Sequence, residues 1–204
     1  MSMRAVLFDL GGVVLGSPFE AIAQYEREHA LPPGFVTRLI AAGGSDSAWH
    51  GLERGELDVA AFAPRFEAES KVRGETLDGA ALIAAIKRGT RPRPAFLRAI
   101  EVIRAHGLKA AALTNNWKSD STQALSAHFD VFLESSKLGL RKPDPRIYVL
   151  ACEAVGVAAS EIVYLDDIGH NLKPARALGM TTIKVDAPEP ALETLAATLG
   201  FTLV

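Results

Sequence analysis

The chain has 204 residues, 49% hydrophobic and 23% charged, with 22 Lys and Arg against 24 Asp and Glu and a formal charge of −2. That length supports one large core, or one core with a smaller insert, and the single Cys152 excludes a disulfide framework or a Cys-rich zinc site. The near-neutral balance excludes the basic excess of a nucleic-acid binder, and no apolar run reaches the roughly 18–20 residues of a membrane span.

The opening MSMRAVLFDLGGVVLG has the apolar look of a secretory leader. However, Asp9 interrupts the apolar stretch, Arg4 is the sole basic residue ahead of it, and no clear cleavage site follows. The segment 4–10 therefore reads as a buried strand, and a cytoplasmic protein is expected. Helical stretches are expected next at 18–30, 34–42, 58–69 and 76–88. RGTRPRP at 88–94 reads as a linker, because repeated Pro disfavours helix. Beyond it, strands and helices alternate: helix 94–106, strand 108–114, helix 119–127, strand 130–135, helix 144–155, strand 161–166, helix 170–178, strand 181–185 and helix 190–198. Alternation at this spacing predicts βαβ units and a parallel, Rossmann-like α/β sheet. Nearly one hundred residues separate the first two strands, too many for one crossover. An inserted helical-bundle cap at 16–88 is expected, with 1–15 and 89–204 forming the core.

Ligands of parallel α/β sheets bind outside the carboxyl ends of the strands. The residues expected there are Asp9 with Leu10, Gly11 and Gly12; Thr114 with Asn115 and Asn116; Lys137 and Lys142; and Asp166 and Asp167 with Gly169, His170 and Asn171. Clustered carboxylates call for a hard divalent cation, and Mg²⁺ typically takes one or two carboxylates plus substrate phosphate. A lysine adds charge stabilisation, and a carboxylate can act as nucleophile. Each residue alone reads more simply as a cap, turn or surface group. Their joint occurrence in order points to metal-assisted phosphoryl transfer.

FDLGGVV (8–14), LTN (113–115), Lys142 in RKPDP and LDD (165–167) resemble, in order and separation, the four motifs of the haloacid dehalogenase (HAD) superfamily. ESSKLGLRKPDPRIY (134–148), YLDDIGHNLKPARALGMTTIKV (164–185) and HGLERGEL (50–57) are similar to the subgroup containing the N-terminal phosphatase domain of soluble epoxide hydrolase and the related domain of acyl-CoA dehydrogenase family proteins.

The resemblance implies Asp9 as nucleophile and Mg²⁺ ligand, a backbone carbonyl ligand at Gly11, Thr114 and Asn115 on the phosphoryl group, and Lys142 neutralising nucleophile and phosphate. It implies Asp167 as the direct metal ligand, with Asp166 and Asn171 in support. The implied substrate is a small phosphorylated metabolite, handled by a monomer or homodimer. The family's phosphatases usually carry a second Asp where Gly11 stands, which protonates the leaving oxygen. Its loss leaves three readings: a phosphatase for good leaving groups, a proton from elsewhere such as His50, or an impaired module that binds phosphorylated ligands. A metal-independent haloacid dehalogenase also lacks that Asp, but its usual aromatic is absent too, and the Asp166-Asp167 pair favours the metal-dependent reading.

Overall fold

The computed structural model describes residues 2–118 and 123–203. Five strands form one parallel sheet: β1 (Ala5–Phe8), β2 (Lys109–Thr114), β3 (Val131–Glu134), β4 (Ile162–Asp166) and β5 (Thr181–Lys184), in the order β3-β2-β1-β4-β5. Successive side chains of a strand point to opposite faces, so a sheet covered on both sides needs continuous apolar strands. Here Val6, Phe8, Ala110, Ala112, Val163 and Leu165 pack on one face, and Ala5, Leu7, Ala111, Leu113, Ile162 and Tyr164 on the other. Helices α6 (Pro94–Ala105) and α11 (Pro188–Leu199) cover the first face; α9 (Pro145–Val155) and α10 (Gly169–Ala177) cover the second. The sheet is the doubly covered α/β layer that the sequence predicts.

Five helices lie between β1 and α6: α1 (Pro18–Glu28), α2 (Phe35–Ala42), α3 (Ala48–Glu53), α4 (Val59–Val72) and α5 (Gly79–Gly89). They bury a second cluster built on Ile22, Tyr25, Trp49, Leu52, Phe62, Phe66 and Ile86. The sequence reading anticipates four of them. It passes over α3, whose six residues are too few to show a helical period. What starts α3 is Ser47, whose hydroxyl caps the His50 N–H at 3.4 Å. Two further short helices complete the chain: α7 (Gln123–Ser126) and α8 (Ser135–Leu138). Of the helix expected at 119–127, residues 119–122 lie outside the described residues. The α8 turn replaces the end of the strand expected at 130–135.

The two crossings into and out of the helical segment run side by side. Leu15 bridges Pro92, the Gly16 N–H donates to the Arg91 carbonyl at 2.9 Å, and the Arg93 N–H donates to the Val14 carbonyl at 2.8 Å. Arg93 also donates through Nη1 to the Gly12 and Val13 carbonyls, tying this crossing to the turn after β1.

Candidate active site

The register aligns the carboxyl ends of the strands. Phe8 lies opposite Ala112 and Leu165, and Thr114 lies opposite Glu134. Asp9 thus leaves the sheet next to Asp166, its N–H donating to the Leu165 carbonyl at 2.9 Å. The chain then makes one wide turn, closed by the Leu15 N–H on the Leu10 carbonyl at 2.8 Å. Gly12 sits in that turn at φ 77°, and a Cβ there would stand 2.1 Å from Asp167 Oδ2. Both the left-handed backbone and the approach of Asp167 require glycine.

Lys142 is buried at 1% exposure and donates to Asp9 Oδ1 and to Asp166 Oδ2, each at 2.8 Å. Asp166 is fully buried. Its Oδ2 also accepts from the Tyr164 hydroxyl, Asn171 Nδ2 reaches both oxygens at 3.1 Å, and the Ile168 N–H donates to Oδ1 at 2.7 Å. A carboxylate offers about four lone-pair sites, so Asp166 is committed to protein donors. It anchors Lys142, and Asn171 anchors it in turn, with the Tyr148 hydroxyl on the Asn171 carbonyl at 2.7 Å.

Asp9 Oδ1 accepts from Lys142 and from the Leu10 N–H at 2.7 Å; Oδ2 has no hydrogen bond among the described residues. Burial pushes the Asp9 carboxyl up to about 8 against the pull of Lys142, with Asp166 and Asp167 adding to the rise. Burial and then Asp166 push Asp167 up to about 6, while Lys142 and Arg93 pull the other way. For Lys142, burial alone would lower the pKa, but Asp166 and Asp9 outweigh it and hold the amine above its ordinary value. Each of the three carboxylates thus brings one oxygen within 4.8 Å of the others, and the buried lysine pairs with two of them, Asp9 and Asp166. With Asp166 committed, Asp9 and Asp167 remain as hard oxygen donors beside the Gly11 backbone. That set suits Mg²⁺, which pairs one or two carboxylates with substrate oxygens and water.

The Asn115 side chain takes a structural role. Its Oδ1 accepts from the Lys142 N–H at 2.8 Å and its Nδ2 donates to the Lys142 carbonyl at 3.0 Å. The side chain therefore clamps the backbone that carries the lysine. Thr114 is buried at 3% exposure, and its hydroxyl makes no hydrogen bond with the described residues. It lines a hollow of about 140 Å³ together with Gly11, Asn115, Trp49 and Trp117. Trp117, one residue beyond Asn116, packs edge-on to Trp49 with ring centroids 6.2 Å apart.

The main cleft, about 480 Å³, has Asp9, Gly11, Lys142 and Asp167 at its floor and Phe19, Ile22, Ile40, Trp49 and His50 among its walls. His50 lines this cleft. Its Nδ1 lies 2.9 Å from the Gly44 carbonyl, which can only accept, so Nδ1 carries the ring proton. Burial, then Arg141, holds its pKa below the ordinary value. A lowered pKa disfavours the cationic ring that could donate from Nε2.

The contact that seats the helical segment on the sheet was not foreseen. Glu53, at the end of α3, accepts from Arg141 Nε at 2.5 Å and from Trp49 Nε1 at 3.0 Å. Its carbonyl accepts from Ser135 Oγ at 2.6 Å, and Ser135 Oγ accepts from the Asn116 N–H at 2.9 Å. Gly55, at φ 71°, brings its α-carbon so near the Ser136 carbonyl that a Cβ would fall 2.2 Å from that oxygen. The signal was present in HGLERGEL, which supplies Glu53 and Gly55, but its partners lie some eighty residues away.

Residues 3–179 match the haloacid dehalogenase-like hydrolase family. The chain is 36% identical over 209 residues to Acyl-CoA dehydrogenase family member 10 of Mus musculus, covering 99% of this chain and 20% of that protein. It is 33% identical over 226 residues to Bifunctional epoxide hydrolase 2 of Sus scrofa, covering 100% of this chain and 40% of that protein. The chain therefore spans only a fifth to two-fifths of the length of these relatives. Among solved structures, a HAD family enzyme of Bacteroides thetaiotaomicron in complex with magnesium and inorganic phosphate aligns with a TM-score of 0.69 at 19% identity, covering 92% of this chain and 96% of that one. On its sequence, and with a fold to match, the chain belongs to the haloacid dehalogenase-like hydrolases.

Proposed function

We propose that this chain is a Mg²⁺-dependent phosphohydrolase acting on a small phosphorylated molecule, with Asp9 as the nucleophile. The observation that carries this reading is the asymmetric dressing of Asp9. Lys142 and the Leu10 N–H hold Oδ1, and Oδ2 is left without a described partner on a cleft floor shared with Asp167. The magnesium and phosphate held by the Bacteroides thetaiotaomicron enzyme support the same assignment. Residues 16–88 act as the cap over a core formed by 1–15 and 89–204.

Asp9 and Asp167, with the Gly11 carbonyl, would hold the metal. When bound, Mg²⁺ supplies Lewis-acid stabilisation of phosphoryl oxygens and relieves carboxylate–phosphate repulsion. Asp9 attacks phosphorus, the bond from phosphorus to the leaving oxygen breaks, and the electron pair goes to that oxygen. Water then attacks the aspartyl phosphate at phosphorus, releasing inorganic phosphate and restoring the carboxylate. Lys142 offsets the charge on nucleophile and phosphoryl group throughout. The Thr114 hydroxyl and the main-chain N–H at Asn115 receive phosphoryl oxygens, while the Asn115 side chain fixes Lys142. With Gly11 lacking a side chain and the His50 pKa lowered by burial, the site suits leaving oxygens that depart without a protein proton, as in acyl, aryl or sugar-1-phosphates.

The test is a panel of such esters with and without Mg²⁺. Turnover that stops in EDTA and in Asp9→Asn is expected. Metal-independent halide release from 2-haloacids, or saturable phosphate binding without turnover of any ester, would overturn the reading.

A further inference from the structure

The cleft contains a second cation whose role the phosphoryl-transfer reading does not use. Arg141 lines the cleft directly beside Lys142, and its side chain keeps 23% exposure. Its Nε is bound by Glu53 Oε2 at 2.5 Å, whereas Nη1 and Nη2 make no hydrogen bond with the described residues. Glu53 is itself fixed through Oε1 by Trp49 Nε1 at 3.0 Å and through its carbonyl by Ser135. A buried ion pair adds little net stability over an apolar pair. What this one sets is direction. A guanidinium gripped at Nε leaves its end-on pair of terminal nitrogens, the geometry that takes a carboxylate with two parallel hydrogen bonds. Phe19, Ile22, Ile40 and Trp49 make that side of the cleft largely apolar, Thr37 and His50 add polar groups, and Arg141 is the one arginine in the lining.

We infer that Arg141, aimed by Glu53, is a specificity-determining residue that binds a carboxylate on the leaving portion of the substrate. The substrate class is then a phosphate ester carrying a carboxylate. This inference rests on the phosphohydrolase reading and narrows it.

The experiment compares kcat/KM for phenyl phosphate with 3- and 4-carboxyphenyl phosphate, and for alkyl phosphates of two to four carbons with their ω-carboxy counterparts, all with Mg²⁺. At least one carboxylated ester should be preferred by the wild type. A bidentate charge-assisted contact of this kind is worth about 10- to 100-fold. Arg141→Met should erase that preference ratio, Arg141→Lys should retain part of it, and Glu53→Gln should reduce it by freeing the guanidinium. Because the readout is a ratio within each variant, a general loss of activity cancels. If the Arg141 variants fold poorly, calorimetric binding of carboxyphenyl against phenyl phosphate to Mg²⁺-loaded Asp9→Asn protein, with and without Glu53→Gln, reads the same contact. No preference in the wild type, or a ratio unmoved by Arg141→Met, overturns the inference and leaves the phosphohydrolase reading standing. Absence of turnover on every ester strikes that reading, and the binding comparison still decides the role of Arg141.

Discussion

Substituting Gly11→Asp probes the feature that sets this site apart from the usual phosphatase pattern. Gly11 has φ −64° and ψ 124°, an extended conformation open to any L-residue. The obstacle is Pro18 at the start of α1: a Cβ at position 11 would meet its Cδ at 3.3 Å and its Cγ at 3.4 Å. The proline must give by a few tenths of an ångström, an overpacking that costs about 1–3 kcal/mol at most. A well-placed acid is worth about 10²–10⁴-fold, and a misplacement of about 1 Å forfeits roughly 10²-fold. At the middle of that range, Gly11→Asp should therefore raise kcat on simple alkyl phosphates by about 10-fold, with about 100-fold as the ceiling. It should change turnover of acetyl phosphate, whose leaving group needs no proton, by no more than about 3-fold. Gly11→Asn, similar in shape but without the carboxyl proton, should give no gain. Adding Pro18→Ala, which removes both obstructing carbons, should recover any gain lost to crowding. The assay is phosphate release at saturating Mg²⁺, with thermal melting and Mg²⁺ affinity checked for each variant. A folded, Mg²⁺-binding Gly11→Asp protein with an unchanged alkyl-to-acyl ratio would refute the reasoning.

The other predictions concern the buried charges. Asp166→Asn leaves Lys142 in the interior with Asp9 as its one ion-pair partner, and stability to urea should fall by about 3–5 kcal/mol. The carboxyls of Asp9 and Asp167, raised to about 8 and about 6, bind protons in the folded state that they release in the unfolded one. Their contribution to metal-free stability is thus complete below pH 4 and is lost as pH rises through about 6 and 8. Mg²⁺ competes with those protons, so the rise in Tm that it produces should grow from pH 5 to pH 8; a rise independent of pH would count against Asp9 and Asp167 as ligands. Gly12→Ala, placing a methyl against Asp167 Oδ2 at a positive φ, should weaken Mg²⁺ binding at least about tenfold by titration calorimetry and lower stability by about 1 kcal/mol or more.

What the sequence showed follows from how far each signal reaches along the chain. The strands announce themselves as unbroken apolar runs because both sheet faces are covered, and parallel register carries their polar ends to one edge without any side-chain pairing being known. Hence Asp9, Thr114, Lys142 and Asp166 could be placed together in advance. Which groups face which could not be read, because that depends on two or three ångströms. The spacing makes Asp166 and Asp167 equivalent carboxylates. The four donors around Asp166 show that it anchors the lysine, which favours Asp167, the ligand the resemblance implies, for the proposed metal. Asn115 adds a role that position alone does not show: its side-chain amide holds the Lys142 backbone.

The helix that sequence periodicity missed is the one that joins cap to core. Six residues cannot display an apolar stripe, yet α3 delivers Trp49 and His50 to the cleft wall and Glu53 to Arg141 and Ser135. Ser135 receives the N–H of Asn116 from the loop that follows Thr114, and Arg141 immediately precedes Lys142. Glu53 therefore touches, through Ser135, the segment that follows Thr114, and directly the segment that carries Lys142. Displacing Glu53 breaks one contact to each segment at once, whereas displacing the apolar cap walls breaks neither. Apolar packing thus shapes the cleft wall, while Glu53 joins the close approach of Gly55 to Ser136 in seating the helical segment on the sheet.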